Sequence, residues 1–379
     1  MTSDASFLTL ESVLESQSQK SEDYHQTTFR IYAFSQIFFF VYYVTVVFAG
    51  LPQWIAGVVS QDRSYSIVSV GFTTTILFVI HFLLWMPISW YSETIERSYQ
   101  FSQNTTNKWI KDRVKIFLIL YILFIIFAEA VYAGIDRLGS DWWIFASVVS
   151  IILLILFLFI SPILLSIFTK LESFPQNEIR TRVENLATDM GVKYKDIYLW
   201  KMSQQTSKAN AAVVGFGSSI RIVLGDNLVR EFTPDEIDVV MTHEIGHYIH
   251  LDVYRYLVYY SVFFVIMYYI IEQVFQTAID IFNFHSRSDP GSVGFLILSL
   301  MILMQIFDLL SNWYSRRREK AADILAIEKF KNLQVFESAF SRLALMNLAY
   351  PNPSKIEVLL RYTHPPITTR VQYAREMLA

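Results

Sequence analysis

Six long apolar runs limit what this chain can fold into more than any other feature. They cover about residues 31–51, 67–91, 115–135, 142–168, 255–277 and 291–310, and each is long enough to cross a hydrocarbon core as a helix. Hydrocarbon offers no partner for a free backbone amide, so runs of this length are expected to be helical. Composition agrees: only 17% of the 379 residues are charged and 53% are hydrophobic, too few charges to clothe a soluble protein of this size. The expected fold class is an all-α polytopic membrane protein with a small β-strand element.

Other function classes drop out early. The absence of cysteine excludes disulfides and thiolate metal ligands. A net charge of −3 without a basic stripe gives no footprint for nucleic acid. Residues 1–28 are polar and mixed in charge, unlike a cleaved signal peptide, and read as an amphipathic helix or a loose cytoplasmic segment.

The runs divide the chain into an N-terminal segment (1–28), four spanning helices (29–168) and a polar region (169–256). A membrane hairpin (257–310) and a helical, charged C-terminal region (311–379) follow. Each short loop, at 56–66, 136–141 and 278–290, holds a single basic residue, Arg63, Arg137 and Arg287 respectively. The loop at 93–114 and the two polar regions hold more, so the positive-inside rule places them, with the N-terminus, in the cytoplasm. The sequon at Asn104 is unused in that topology.

Within the polar region, residues 173–192 read as a linker and an amphipathic helix closed at Gly191. DIYLWKM alternates like a strand, and NAAVVGFGSSIRIVLGDNLV reads as two short strands about a glycine turn. A helix then begins with Thr233 as cap, Pro234 in its first turn and Glu236 completing a capping box. Ile237, Val240, Met241 and Ile245 form its buried stripe. It carries His243-Glu244-Ile245-Gly246-His247. Residues i and i+4 share a helix face, so both imidazoles reach one metal ion with Glu244 beside its open position. A zinc hydrolase needs this set: two neutral nitrogens, a third ligand, and a carboxylate to take a proton from water.

The hairpin returns the chain at Ser311 to the side it left near Leu257, so a third ligand just beyond residue 311 can meet the histidine helix. Glu319 is the best placed, and Asp323, one turn on, can hold the far nitrogen of His243 or His247. Both carboxylates can alternatively balance Arg316, Arg317 and Arg318 on a helix surface. Glu272 follows in an order that also suits a third ligand but lies inside an apolar run, and His250 is off the face of the other two histidines. Glu129, alone in the third run, reads as a cavity-lining or helix-pairing carboxylate.

THEIGH, SRRREKAAD (315–323) and THPPITTR (363–370), in this order, resemble the membrane zinc metallopeptidase family that contains CAAX prenyl protease 1. IERSYQFSQNTTNKWIKD (95–112), FPQNEIRTRVENLA and NAAVVGFGSSIRIVLGDNLV extend the resemblance from about residue 90 onward. It implies Zn2+ on His243, His247 and Glu319, with Glu244 as general base. It implies His364 over the site to hold the scissile carbonyl or its oxyanion, and Arg370 structuring the pocket by pairing with acidic residues. It implies Asn210, Ala211, Ala212, Val213 and Val214 as the edge strand that receives substrate. It also implies a helical barrel around an intramembrane chamber, with the metallopeptidase core at its cytoplasmic end.

The chain departs from the eukaryotic pattern in having six spanning runs instead of seven and Lys320 where an aromatic is usual. The expected partners are the lipid bilayer and a peptide or protein substrate, prenylated in the CAAX-type reading. The expected setting is a bacterial inner membrane or the endoplasmic reticulum. The competing readings are a quality-control zinc peptidase and an inactive zinc-binding scaffold or chaperone.

Overall fold

The computed structural model describes residues 7–379. The chain opens with α1 (Leu10–Phe48), the short α2 (Leu51–Val59), α3 (Ile67–Ser98), α4 (Thr106–Leu138) and α5 (Trp142–Phe168). A mixed segment follows: β1 (Leu171–Ser173), α6 (Glu178–Asp189), β2 (Ile197–Trp200), β3 (Ala211–Val214), β4 (Arg221–Gly225), α7 (Asp226–Glu231) and α8 (Pro234–Ile249). The chain closes with α9 (Asp252–Phe282), α10 (Val293–Phe330), α11 (Leu333–Asn347), α12 (Lys355–Arg361) and α13 (Ile367–Leu378).

Five segments among the described residues are long and apolar enough to cross a membrane: Gln19–Phe48, Ile67–Ser98, Thr106–Phe168, Asp252–Phe282 and Pro290–Phe330. The third, of 63 residues, breaks at the tight turn Gly139–Asp141 into α4 and α5, which pack together. Six long helices thus match the six apolar runs. The bundle has its own apolar core, with Leu77, Tyr132, Trp142 and Phe275 at its centre. Glu129 packs there against α3, where a Cβ on Gly71 would lie 3.0 Å from its Oε1, and neither carboxylate oxygen has a hydrogen-bond partner among the described residues.

A second core lies in the polar half, built from α6, α8, α11, α13, the sheet and the far end of α10, with Ile237, Met241, Phe336 and Phe340 buried. The sheet runs β1-β2-β4-β3, with β2 and β4 parallel and the outer pairs antiparallel. β3 is therefore an edge. It pairs with β4 in the register Ala211 to Leu224 and Val214 to Arg221.

Two segments differ from the sequence expectation. Residues 10–28 do not form a separate piece but the first half of α1, which runs unbroken into the membrane. Its polar half docks on the second core, with Leu10 and Val13 buried and the Leu10 amide donating to Glu337 at 3.1 Å. The boundary drawn at residue 311 likewise falls inside one helix, since α10 continues for 38 residues from the bundle into the second core.

Candidate metal centre and its cavity

Local sequence explains where the histidine helix begins. Thr233 accepts from the Glu236 amide at 3.3 Å while the Glu236 carboxylate accepts from the Thr233 amide at 2.8 Å. Glu236 is fully buried and also binds Arg342 at 3.0 Å and Ser338, which locks the start of α8 onto α11. The expected stripe Ile237, Val240, Met241 and Ile245 is buried. Gly246 lets α10 come close: a methyl group there would lie 3.3 Å from the Ala322 Cα.

That close crossing brings Glu319 of α10 to the two histidines. His243 Nε2 lies 3.2 Å from Glu319 Oε2, His247 Nε2 lies 3.4 Å from Glu319 Oε1, and the two Nε2 atoms are 3.3 Å apart. Four-coordinate zinc with ligand bonds near 2.0–2.1 Å would hold its donors about 3.3 Å apart. Glu319 Oε2 is buried and accepts no hydrogen bond among the described residues. Two imidazole nitrogens facing the two oxygens of one carboxylate at these distances, one oxygen a buried orphan, are a donor set that fits a metal ion.

Each histidine is held from behind. His243 Nδ1 is 3.0 Å from Asp323 Oδ1, and Asp323 in turn takes two bonds from Arg370, at 2.9 and 2.6 Å. His247 Nδ1 is 2.8 Å from Asp252 Oδ2, and Asp252 accepts from Arg318 Nε at 2.5 Å. The first set was expected from sequence. Asp252 and Arg318 were not. The available signal was an acidic residue just past the histidine helix: Leu251, at φ +56, turns the chain so that Asp252 starts α9 facing back.

The electrostatics follow from this packing. Burial works against charge on His243 and His247, but the carboxylates outweigh it. Asp323 and Glu319 raise the first, and Asp252 and Glu319 lift the second to about 10. The protons so attracted are those a metal would displace. Burial pushes the Glu244 carboxyl up against the opposing pull of His243 and His247. Glu244 makes no hydrogen bond among the described residues and lines a cavity of about 670 Å³ with His243, Asn210, Tyr362, His364 and Arg370.

His364 is exposed to that cavity with Nε2 3.3 Å from Glu319 Oε1. Its loop is fixed by Arg316, which donates to the Tyr362 carbonyl at 2.6 Å. Of the expected edge strand, Ala211, Ala212, Val213 and Val214 form β3, and Asn210 precedes it and lines the cavity. Glu272 lies elsewhere, bound to Trp142 at 2.6 Å and Arg287 at 3.2 Å, and His250 caps the end of α8. Neither joins the cluster.

The N-terminal helix also contributes to the cavity, which sequence reading missed. Tyr24, His25 and Thr28 form part of its wall. A second cavity of about 870 Å³ lies among α1, α3 and α10 and is lined by Phe39, Tyr43, Trp85 and Met301. Tyr24, Thr28, Lys208 and Arg361 line both.

Residues 173–378 match the model of peptidase family M48, and residues 9–170 match that of the CAAX prenyl protease N-terminal region, described as five membrane helices. Within those limits the chain has four long helices and the nine-residue α2. A metalloprotease of Bacillus subtilis, YhfN, is 28% identical over 343 residues, covering 89% of this chain and 80% of that protein. CAAX prenyl protease 1 of Saccharomyces cerevisiae is 24% identical over 76% of this chain and 67% of its own length. The crystal structure of S. mikatae Ste24p superposes with a TM-score of 0.87 at 21% identity, covering 98% of this chain and 92% of that one.

Proposed function

The chain belongs to peptidase family M48 and is a multi-pass membrane metalloprotease, and from that premise we propose a zinc-dependent endopeptidase of the CAAX prenyl protease 1 type. Its substrates would be prenylated or membrane-associated chains cut near their C-terminus. One observation carries the substrate reading. The cavity beside His243 and Glu244 shares four lining residues with a cavity among the membrane helices, so a lipid-bearing peptide has room for its chain in one and its apolar group in the other. The active site would face the cytoplasm, as the basic loops suggest.

His243, His247 and Glu319 would hold the metal. Bound there, zinc supplies Lewis acidity toward the scissile carbonyl and lowers the pKa of water. Glu244 removes a proton from the attacking water and returns it to the leaving amine as the C–N bond breaks, so that water adds across the bond without a covalent intermediate. His364, exposed beside Glu319, donates toward the developing oxyanion. Arg370 acts through Asp323, which fixes the His243 ring. The free edge of Asn210 to Val214 pairs with the extended substrate backbone.

The test is cleavage of two peptides, one farnesylated on a C-terminal CaaX cysteine and one identical but unmodified, by purified wild type and E244Q. The expected result is lipid-dependent loss of the last three residues with wild type alone. Equal cutting of both peptides would make the protein a general membrane endopeptidase. Turnover by E244Q at the wild-type rate would sink the assignment of the base.

A further inference from the structure

The passage between the two cavities has two cations, and only one is neutralised. Lys208 Nζ is 2.8 Å from Glu96 and 2.9 Å from the Tyr24 hydroxyl, so its charge is already answered. Arg361, in the last turn of α12, has no carboxylate within ion-pair distance among the described residues. Its one described hydrogen bond is a long one, Nη1 to Thr28 Oγ1 at 3.4 Å, and its guanidinium stands 5.7 Å from the Tyr32 ring. Arginine carries five donors in a planar fork suited to a carboxylate. Here most of those donors are uncommitted, in the wall of a cavity that also contains Glu244 and His243.

We propose that Arg361 binds the free C-terminal carboxylate of the substrate and so makes this peptidase read the end of the chain. The proposal rests on the reading of the 670 Å³ cavity as the substrate site. Three extended residues beyond a scissile bond span about 10 Å, a length that a cavity of this size accommodates. The aromatic and hydroxyl groups beside the guanidinium, Tyr24, Thr28 and Tyr32, shield it from bulk water without cancelling its charge, which strengthens an ionic hydrogen bond. An anionic lipid headgroup offers related chemistry to the same cation. The carboxylate is favoured because Arg361 lines the cavity of the metal centre as well as the membrane cavity.

The experiment measures binding of a fluorescent farnesylated CaaX peptide, as the free acid and as the C-terminal amide, to zinc-loaded E244Q, which should not consume it. E244Q should bind the acid about ten- to a hundredfold more tightly than the amide. Adding Arg361→Gln should erase that preference by weakening only the acid, and Arg361→Lys should keep part of it. Zinc content and melting temperature would confirm that the variants are folded. Equal affinity for acid and amide in E244Q, or an undiminished preference after Arg361→Gln, would overturn the proposal. So would acid and amide binding alike while phosphatidylglycerol in the micelle binds through Arg361, which would make the residue a headgroup site. Acid-selective binding through Arg361 without any cleavage by wild type would keep the anchor and remove the CAAX-type cleavage reading instead.

Discussion

Both histidines of the candidate metal site are backed by a carboxylate that is itself backed by an arginine: His243 by Asp323 and Arg370, His247 by Asp252 and Arg318. The pairs fix each ring with Nε2 toward the cluster and Nδ1 toward the acid, the usual way a protein sets the tautomer of a ligand. Only the first was legible in the sequence. Asp323 lies one helical turn from Glu319, so periodicity puts it beside the candidate metal ligands, while the pairing of Arg370 was implied by the family resemblance. Asp252 reaches His247 through a left-handed residue at Leu251 that has no glycine to announce it. Asp252→Asn keeps the size and an acceptor oxygen but removes the charge that holds Arg318. Metal affinity should fall about 10- to 100-fold, measured by competition with a chelating dye, with activity recovered at high zinc. Unchanged affinity would mean that Asp252 serves only to start α9.

Among elements, the crossing of α8 with α10 decides whether a metal site exists at all, because Glu319 and the histidines lie about 70 residues apart and meet only there. The start of α8 was readable because a capping box is local: Thr233, Pro234 and Glu236 name it within four residues. The extents of α1 and α10 were not, for a physical reason. A change from apolar to charged composition marks where a helix leaves the membrane, but no glycine or proline stands between Leu10 and Phe48 or between Phe295 and Phe330 to end either helix. The short α2 was hidden by the opposite signal, Gly50 and Pro52, which close α1 and at once begin another helix. Gly246 tests the crossing. Gly246→Val would put branched carbon against the Ala322 backbone and Leu325, overpacking that costs about 1–3 kcal/mol. The displacement of α10 should move Glu319 from the histidines, so the variant should lose metal at concentrations that saturate wild type. A variant that melts lower yet holds metal normally would show that α10 yields elsewhere along its length.

Across the whole molecule, α10 belongs to both apolar cores, with Val293 and Leu296 in the bundle and Ala326 and Ile327 in the peptidase half. α1 makes a second such connection through Leu10 and Val46. A third is made by the α3–α4 loop, where Gln103 donates to the Gln205 carbonyl at 2.8 Å and Ser207 to the Phe101 carbonyl at 3.1 Å, just ahead of β3. The two halves are therefore joined by continuous helices and backbone pairing, and a metal held by His243, His247 and Glu319 would add a link only between α8 and α10. Those helices already bury Ile245, Gly246, Ala322 and Ala326 against the same core without it. Chelation with 1,10-phenanthroline should accordingly abolish proteolysis while leaving the helical circular-dichroism signal intact. The melting temperature should drop by what the lost binding energy dictates, about 4 kcal/mol for zinc at a thousand times its dissociation constant. Added zinc should restore activity without a refolding step, since the donors stay within 4.8 Å of one another in the packed protein. Loss of helical signal on chelation would reverse this ranking. It would mean that the metal, and not the close packing at Gly246, holds α10 against the histidine helix.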